Sequence, residues 1–425
     1  MNLDKKQVAE FAFDIQNGAG SLDIPDFDKL RDIGMAAALA VHIRGLGEID
    51  YEVLRKVSNH YFDIPSGVLK TILNILAEVE FIELIGTKTN IKTIIPKIPR
   101  FQDIYTIMGS YSEPGDFNEH EQAILEILGE LYKKPDNKDK LLNNSGIEKE
   151  VFKRCVKIGS ECGFIREHRA REKTILVSPY YFADNFDALA DMVAKSGASE
   201  IENVLTIIRN NQGWPLSLIE QKLKLGETKI SEIQKSLIIT LASEGVLKPP
   251  TIKLPTGSES FIFTPPPGAS RLNASNREIY ERAMALVSSV RKGQLLAKKY
   301  PILFPLKILE ALKDKGYLSS NSEADIQYNN LVFLKVAYLK ATSNNKWELH
   351  LRNTEENILA LDLAIDILRT GKISNMEVNN EAKIALSKDE QYIQSIIGAS
   401  ELRVRKKQEL NEDAVAEFEK LLHKY

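Results

Sequence analysis

Apolar residues recur at helical spacing along most of the chain and alternate in short runs at only a few places. This pattern predicts a mainly α protein with short β-hairpins, an α+β architecture. The stretch from 118 to 178 is the clearest. Residues 118–134 place Ile124, Leu125, Ile127, Leu128 and Leu131 on one helical face, and Pro135-Asp136-Asn137 breaks the run. Residues 138–143 read as a short second helix and Asn144-Ser145-Gly146 as a turn; 147–162 reads as a third helix with Val151, Phe152, Cys155, Val156 and Ile158 inward. Strands over 164–166 and 174–178 then enclose the polar tip 167–172.

The same order recurs. Four junctions end a helix and open a strand with a bulky apolar pair: Glu80-Phe81-Ile82-Glu83, Gly163-Phe164-Ile165-Arg166, Gly245-Val246-Leu247-Lys248 and Gly316-Tyr317-Leu318-Ser319. Their apolar pairs begin 83, 82 and 71 residues apart. Glycine suits a helix end that turns through the left-handed region, and Glu80 replaces it in the first copy. After the first three junctions a second strand runs into proline at Pro96, Pro179 and Pro265, where the ladder loses a donor.

Helices complete each copy: 28–46, 51–61 and 65–79 in the first, 200–211, 216–223 and 228–244 in the third. The fourth diverges, with helices over 276–296 and 305–315 and a long hairpin over 331–352, and an amphipathic helix over 355–369 follows it. The Pro265-Pro266-Pro267-Gly268 stretch reads as a linker. Expected boundaries are therefore 1–110, 111–195, 196–268 and 269–373 for four modules, with a helical tail over 374–425 carrying Arg403, Arg405, Lys406 and Lys407.

Two helices, a turn, a third helix and a two-stranded wing: this order resembles the winged-helix branch of the helix-turn-helix superfamily, here as serial modules with connecting helices. The resemblance covers most of the chain and rests on pattern, not on a signature motif. It implies a third helix docked in the major groove of double-stranded DNA and a wing against the adjacent backbone. In the second copy, Lys149, Lys153, Arg154 and Lys157 on the third helix and Arg166, Arg169, Arg171 and Lys173 on the wing, beside His168, would make those contacts. Glu148, Glu150, Glu161, Glu167 and Glu172 dilute their field, and a solvated helix and hairpin carry the same pattern. Elsewhere the candidate cations are Lys70, Lys88, Lys92, Lys97 and Arg100 in the first copy and Lys222, Lys224, Lys229 and Lys235 in the third. In the fourth they are Arg291, Lys292, Lys298 and Lys299, beside Tyr300. Trp347 shares a strand face with Leu349 and Leu351, which predicts core packing rather than base stacking.

Composition changes this picture only at the margins. With 425 residues, 43% hydrophobic and 27% charged, the chain has material for several cores. A net charge of −3 argues against non-specific coating of nucleic acid. The first ten residues mix acid and base without the apolar run of a secretory signal. The longest apolar stretch, 33–43, is far short of the roughly 20 residues that span a bilayer. It predicts a buried helix and no membrane association. Cys155 and Cys162 lie two helical turns apart, too far to pair, which fits a reducing, cytoplasmic setting.

Chemistry is not legible. Gly371-Lys372 lacks the remainder of a phosphate-binding loop, and His120-Glu121 is followed by Ile124 where a zinc-protease helix needs histidine. The six histidines show no ligand spacing. The expectation is a protein that is not an enzyme and uses no metal or cofactor. Two functional readings stay open. One is a DNA-binding protein, a transcriptional regulator or a replication or partition factor. The other is a protein-interaction scaffold, bound to a protein partner or to itself, as tandem winged helices are in chromosome-condensing and membrane-trafficking complexes.

Overall fold

The computed structural model describes residues 4–87, 90–99, 101–112, 114–182, 186–244, 246–247, 250–254, 257–265, 274–297, 300–342, 345–371 and 380–388, with 393, 394 and 397. The linker stretch 266–268, Lys88, Arg100, Gly245, Lys298, Lys299 and the basic run 403–407 lie outside the described residues. The chain is mainly α with short antiparallel hairpins, and it divides into two compact units, residues 2–121 with 378–425, and residues 122–377.

The first unit contains α1 (Lys5–Ala19), α2 (Asp28–Ile43), β1 (Ile49–Asp50), α3 (Tyr51–Phe62), α4 (Leu69–Glu78), β2 (Ile82–Gly86), β3 (Ile91–Pro96) and α5 (Phe101–Ser110). α2 is buried on nearly every side because it carries the Ala-rich run, and small side chains let neighbouring helices approach it. The approach is closest at two glycines. A Cβ on Gly34 would fall on the Ala12 carbonyl of α1, and one on Gly109 of α5 would fall on the Lys5 carbonyl. The helix Asn380–Leu386 packs against α2 and α3. His42, buried near the end of α2, donates from Nδ1 to the Ala38 carbonyl at 2.6 Å and packs on the Phe62 ring. Burial pushes its imidazole down to about 4.

The second unit comprises three successive blocks; its first helix, α6 (Glu119–Lys133), starts at the unit boundary. With α6, the first block holds β4 (Asp136–Asn137), α7 (Lys138–Ser145), α8 (Lys149–Glu161), β5 (Arg166–Ala170), β6 (Lys173–Val177) and α9 (Phe186–Ser196). Next come α10 (Ala198–Asn210), β7 (Trp214–Pro215), α11 (Leu216–Lys222), β8 (Lys224–Leu225), β9 (Thr228–Lys229), α12 (Glu232–Ser243), β10 (Thr251–Leu254) and β11 (Gly257–Ile262). The last block is α13 (Ala274–Leu295), α14 (Pro305–Lys315), β12 (Tyr317–Asn321), α15 (Ala324–Phe333), β13 (Ala337–Thr342), β14 (Lys346–Leu351) and α16 (Glu355–Thr370). Side chains couple the blocks. Lys134 bonds Glu202 at 2.5 Å and Arg209 lies over the Tyr132 ring. Gln212 bonds Thr264 and the Gly371 carbonyl.

One sheet topology occurs four times. The second hairpin strand lies in the middle, between its hairpin partner and a short strand contributed from upstream: β1-β3-β2, β4-β6-β5, β7-β11-β10 and β12-β14-β13. The upstream dipeptide strands also start the next helix. Asp50 caps α3 through the Glu52 and Val53 amides, and Asn137 caps α7 through the Lys140 amide.

The junction before each hairpin is likewise shared, but not always through glycine. Glu80 adopts φ +61°, matching Gly163 at +76°, so the residue that weakened the first copy performs the same left-handed turn. In the fourth copy the equivalent junction is Lys335-Val336, with Lys335 at φ +57°, and not Gly316-Tyr317. The backbone bonds identify it. Phe81, Val246 and Val336 donate to the carbonyls of Leu76, Leu241 and Leu331, and the hairpin ends close back through Lys97 to Phe81 and Arg352 to Val336. Tyr317 instead opens the upstream strand β12. The fourth hairpin therefore starts at Ala337, residues 331–333 end α15, and one helix rather than two separates β12 from the hairpin. In the third copy, residues 228–229 belong to a small hairpin, since Gly226 turns the chain at φ +64° and the Ser231–Gln234 capping box starts α12 at Glu232.

Asn357 holds the fourth junction together. Fully buried, its Nδ2 donates to the Lys335, Val336 and Arg352 carbonyls at 3.0–3.3 Å, while its Oδ1 accepts from Arg282 at 2.6 Å. Asn357→Leu strands those groups and is expected to cost about 2–4 kcal/mol, from roughly 1–3 kcal/mol per unsatisfied buried group, read as a lowered urea midpoint for the second unit. A pH effect follows for the first unit. A depressed histidine pKa contributes stability that is complete above about pH 6.5 and is lost as pH falls towards about 4. The loss amounts to about 3 kcal/mol at 1.36 kcal/mol per pH unit. Thermal melts between pH 7 and 4 should show a steeper decline for the unmodified chain than for His42→Leu.

Candidate nucleic-acid interface

The cations proposed from sequence for the second copy are all exposed. α8 buries Val151, Phe152, Cys155, Val156 and Ile158, and so turns Lys149, Lys153 and Lys157 outward along one ridge at four-residue spacing, with Arg154 beside them. Arg166, Arg169, Arg171 and Lys173 stand on the hairpin β5–β6, whose second strand supplies Ile175, Leu176 and Val177 to the core. Between Glu148 and Lys173 there are eight Lys and Arg against five Glu, a local excess of three positive charges on a chain of net −3.

Part of that charge is already answered. Lys153 pairs with Glu150 at 2.7 Å, and Lys157 lies 3.9 Å from Glu161. α9 packs along the hairpin and brings two acids that local sequence pattern did not connect to it: Asp187 meets His168 at 3.0 Å and Asp191 meets Arg171 at 3.3 Å. Lys138 pairs with Glu167 at 2.8 Å. Lys149, Arg169 and Lys173 are in no ion pair among the described residues. All these pairs are solvent-facing and exchange readily with another anion, since such contacts contribute about 0–1 kcal/mol.

Elsewhere the candidate cations divide: some are committed internally, while Lys92, Lys222 and Lys229 are exposed. In the last block, Arg291 donates from Nε to the Gln212 carbonyl at 3.1 Å and from Nη1 to Gln294 Oε1 at 2.7 Å, and lies over the Trp214 ring. Burial lowers its guanidinium to about 10. Lys292 is likewise buried, with Nζ bonded to the Ile326 carbonyl at 2.6 Å, and burial lowers its ammonium too. Arg291 ties the last block to the one before it and Lys292 ties α13 to α15, so both are consumed internally. Lys224, Lys235 and Lys97 pair with Glu227, Glu232 and Glu83. On α4 the exposed face consists of Lys70, Thr71, Asn74 and Glu78, with no net charge. Trp347 packs against the core with Leu339 and Leu351 beside buried Leu349, as its strand alternation predicted.

Among the described residues, no three His, Cys, Asp or Glu side chains are grouped to hold a metal ion, and no helix is long and apolar enough to cross a membrane. Comparison with known proteins returns no matching family model and no matching curated relative. The class that can be stated is therefore architectural: a mainly α chain whose described residues form four small three-stranded antiparallel sheets of one topology.

Because the α9 pairs are exposed, replacing Asp187 and Asp191 together with Asn should leave the urea midpoint unchanged within error while raising the positive potential of the hairpin. Zeta-potential or heparin-column retention checks the second effect. A large fall in the midpoint would instead make α9 a structural clamp.

Proposed function

We propose that the chain is a cytoplasmic protein of tandem winged helices that binds double-stranded DNA through its second module. The observation that carries this reading is the set of eight exposed cations on α8 and the β5–β6 hairpin, against an overall charge of −3. The winged-helix assignment draws support from the repeated strand order, in which a strand from between the first two helices joins the hairpin. α8 would enter the major groove with Lys149, Lys153, Arg154 and Lys157 leading. Arg166, Arg169 and Lys173 would lie along the neighbouring backbone, with Arg171 released from Asp191 as phosphate replaces carboxylate. A transcriptional regulator or a replication or partition factor is the expected role, and the mechanism calls for no catalysis and no cofactor.

The neutral exposed face of α4 favours a second use for the first module, as a docking surface for a protein partner or a second copy. Under the scaffold reading that surface would carry the function alone.

Titration of the full chain into labelled duplex DNA across a salt series tests the proposal. Affinity should fall steeply with salt, and Arg169→Glu with Lys173→Glu should weaken binding at least about tenfold and reduce the salt slope by about two, one per lost phosphate contact. Absence of duplex binding at low salt overturns the proposal in favour of the scaffold. Unchanged affinity in the double variant removes the second module from the interface.

A further inference from the structure

The fourth sheet differs from the other three in its solvent face. Tyr317 on β12, His350 on β14 and Tyr338 on β13 are direct cross-strand partners. Their rings form one nearly parallel row, with centroids 5.5 and 5.2 Å apart and planes within 19° and 16°. The opposite face of this sheet is committed to the core through Leu349, Leu318, Leu339 and Trp347. Cross-strand pairing of this kind steadies a hairpin, but here it also leaves two tyrosines 41% and 42% exposed.

The two ends of the row differ. Beyond Tyr338 lies the Arg352 guanidinium, 5.9 Å from the ring centroid. Beyond Tyr317, on the edge strand, no further ring or cation contact occurs among the described residues. The stack therefore ends in an aromatic face open at the sheet edge. Charge on the same surface is positive: Lys340, Lys346 and Arg352 are exposed, and Glu348, the one acidic residue on the three strands, bonds His350 at 3.1 Å.

We infer that this ring-and-cation face binds single-stranded nucleic acid, with an unpaired base stacked on Tyr317 as the next member of the row and the backbone following Lys340, Lys346 and Arg352. Any base has a π-face to offer, so the contact is tolerant of sequence, and a duplex keeps its bases paired within the stack and cannot offer one to the edge. Charge selects the occupant: an apolar protein segment would satisfy the rings but leave the three cations without partners. This surface is separate from the one proposed for duplex DNA and goes beyond that reading.

The test uses the full chain, a fluorescein-labelled oligothymidylate and a duplex of equal length, read by anisotropy at low salt. Tyr317→Ala should weaken oligothymidylate binding at least about fivefold, the lower end of the range for loss of one base–aromatic stack, with duplex affinity unchanged. Tyr317→Trp should preserve or tighten it, which separates stacking from a general disturbance of the sheet. The inference is overturned if the unmodified chain does not bind the oligonucleotide, or if the Ala and Trp variants weaken it equally. It is also overturned if Tyr317→Ala binds like the unmodified chain while Arg169→Glu with Lys173→Glu abolishes oligonucleotide binding. Failure of duplex binding alone would leave this inference standing.

Discussion

A two-stranded hairpin of four to six residues per strand is marginal in water, and each of the four hairpins is made viable at the point where a helix hands over to it. In three copies the chain there passes through a left-handed residue, Glu80, Gly163 or Lys335, and in three the amide of Phe81, Val246 or Val336 reaches back to a carbonyl five residues earlier in the helix. That bond aims the first strand along the core and sets which of its faces is buried. The third strand then joins from upstream, contributed by only two residues in three of the four copies. Without the reversal the upstream strand would have no ladder to join. Asn357, which ties Lys335, Val336 and Arg352, shows how much polar bonding the interior commits to this one corner.

The same economy governs charge. Positive side chains near block boundaries, such as Lys134 and Arg291, are drawn into inter-block contacts and become part of the scaffold. Those on α8 and its hairpin stay at the surface because their neighbours on the helix fill the core with apolar groups. Their partners are exposed carboxylates that a polyanion can replace. The fourth sheet follows a different rule, with a row of stacked aromatic rings on its outward face.

Much of the helical framework could be read from one-dimensional pattern. The second copy was legible almost throughout because its apolar spacing, its Asn137 cap and its Gly163 junction agree with one another. The fourth was misplaced by a real signal in the wrong role: Gly316 does end a helix, but the strand it opens is the upstream one. The true junction was hidden because Lys335, like Glu80, takes a conformation its residue type does not advertise. Of the candidate site, the exposure of the α8 cations followed from helical periodicity alone. The partners did not, since Asp187 and Asp191 reach the hairpin from a helix whose packing direction no local spacing encodes.

The sequence by itself determined the helix count around each hairpin in three copies, the apolar faces that build the cores, and the clustering of positive charge in the second copy, all properties of residues near one another in the chain. Tertiary structure decided which dipeptides became third strands, which cations were consumed internally, and that Tyr317, Tyr338 and His350 form one row. The reason is the same in each case. Strand register and inter-block contacts join residues tens of positions apart, and they are selected by the competition among all segments for a limited buried surface rather than by any local preference.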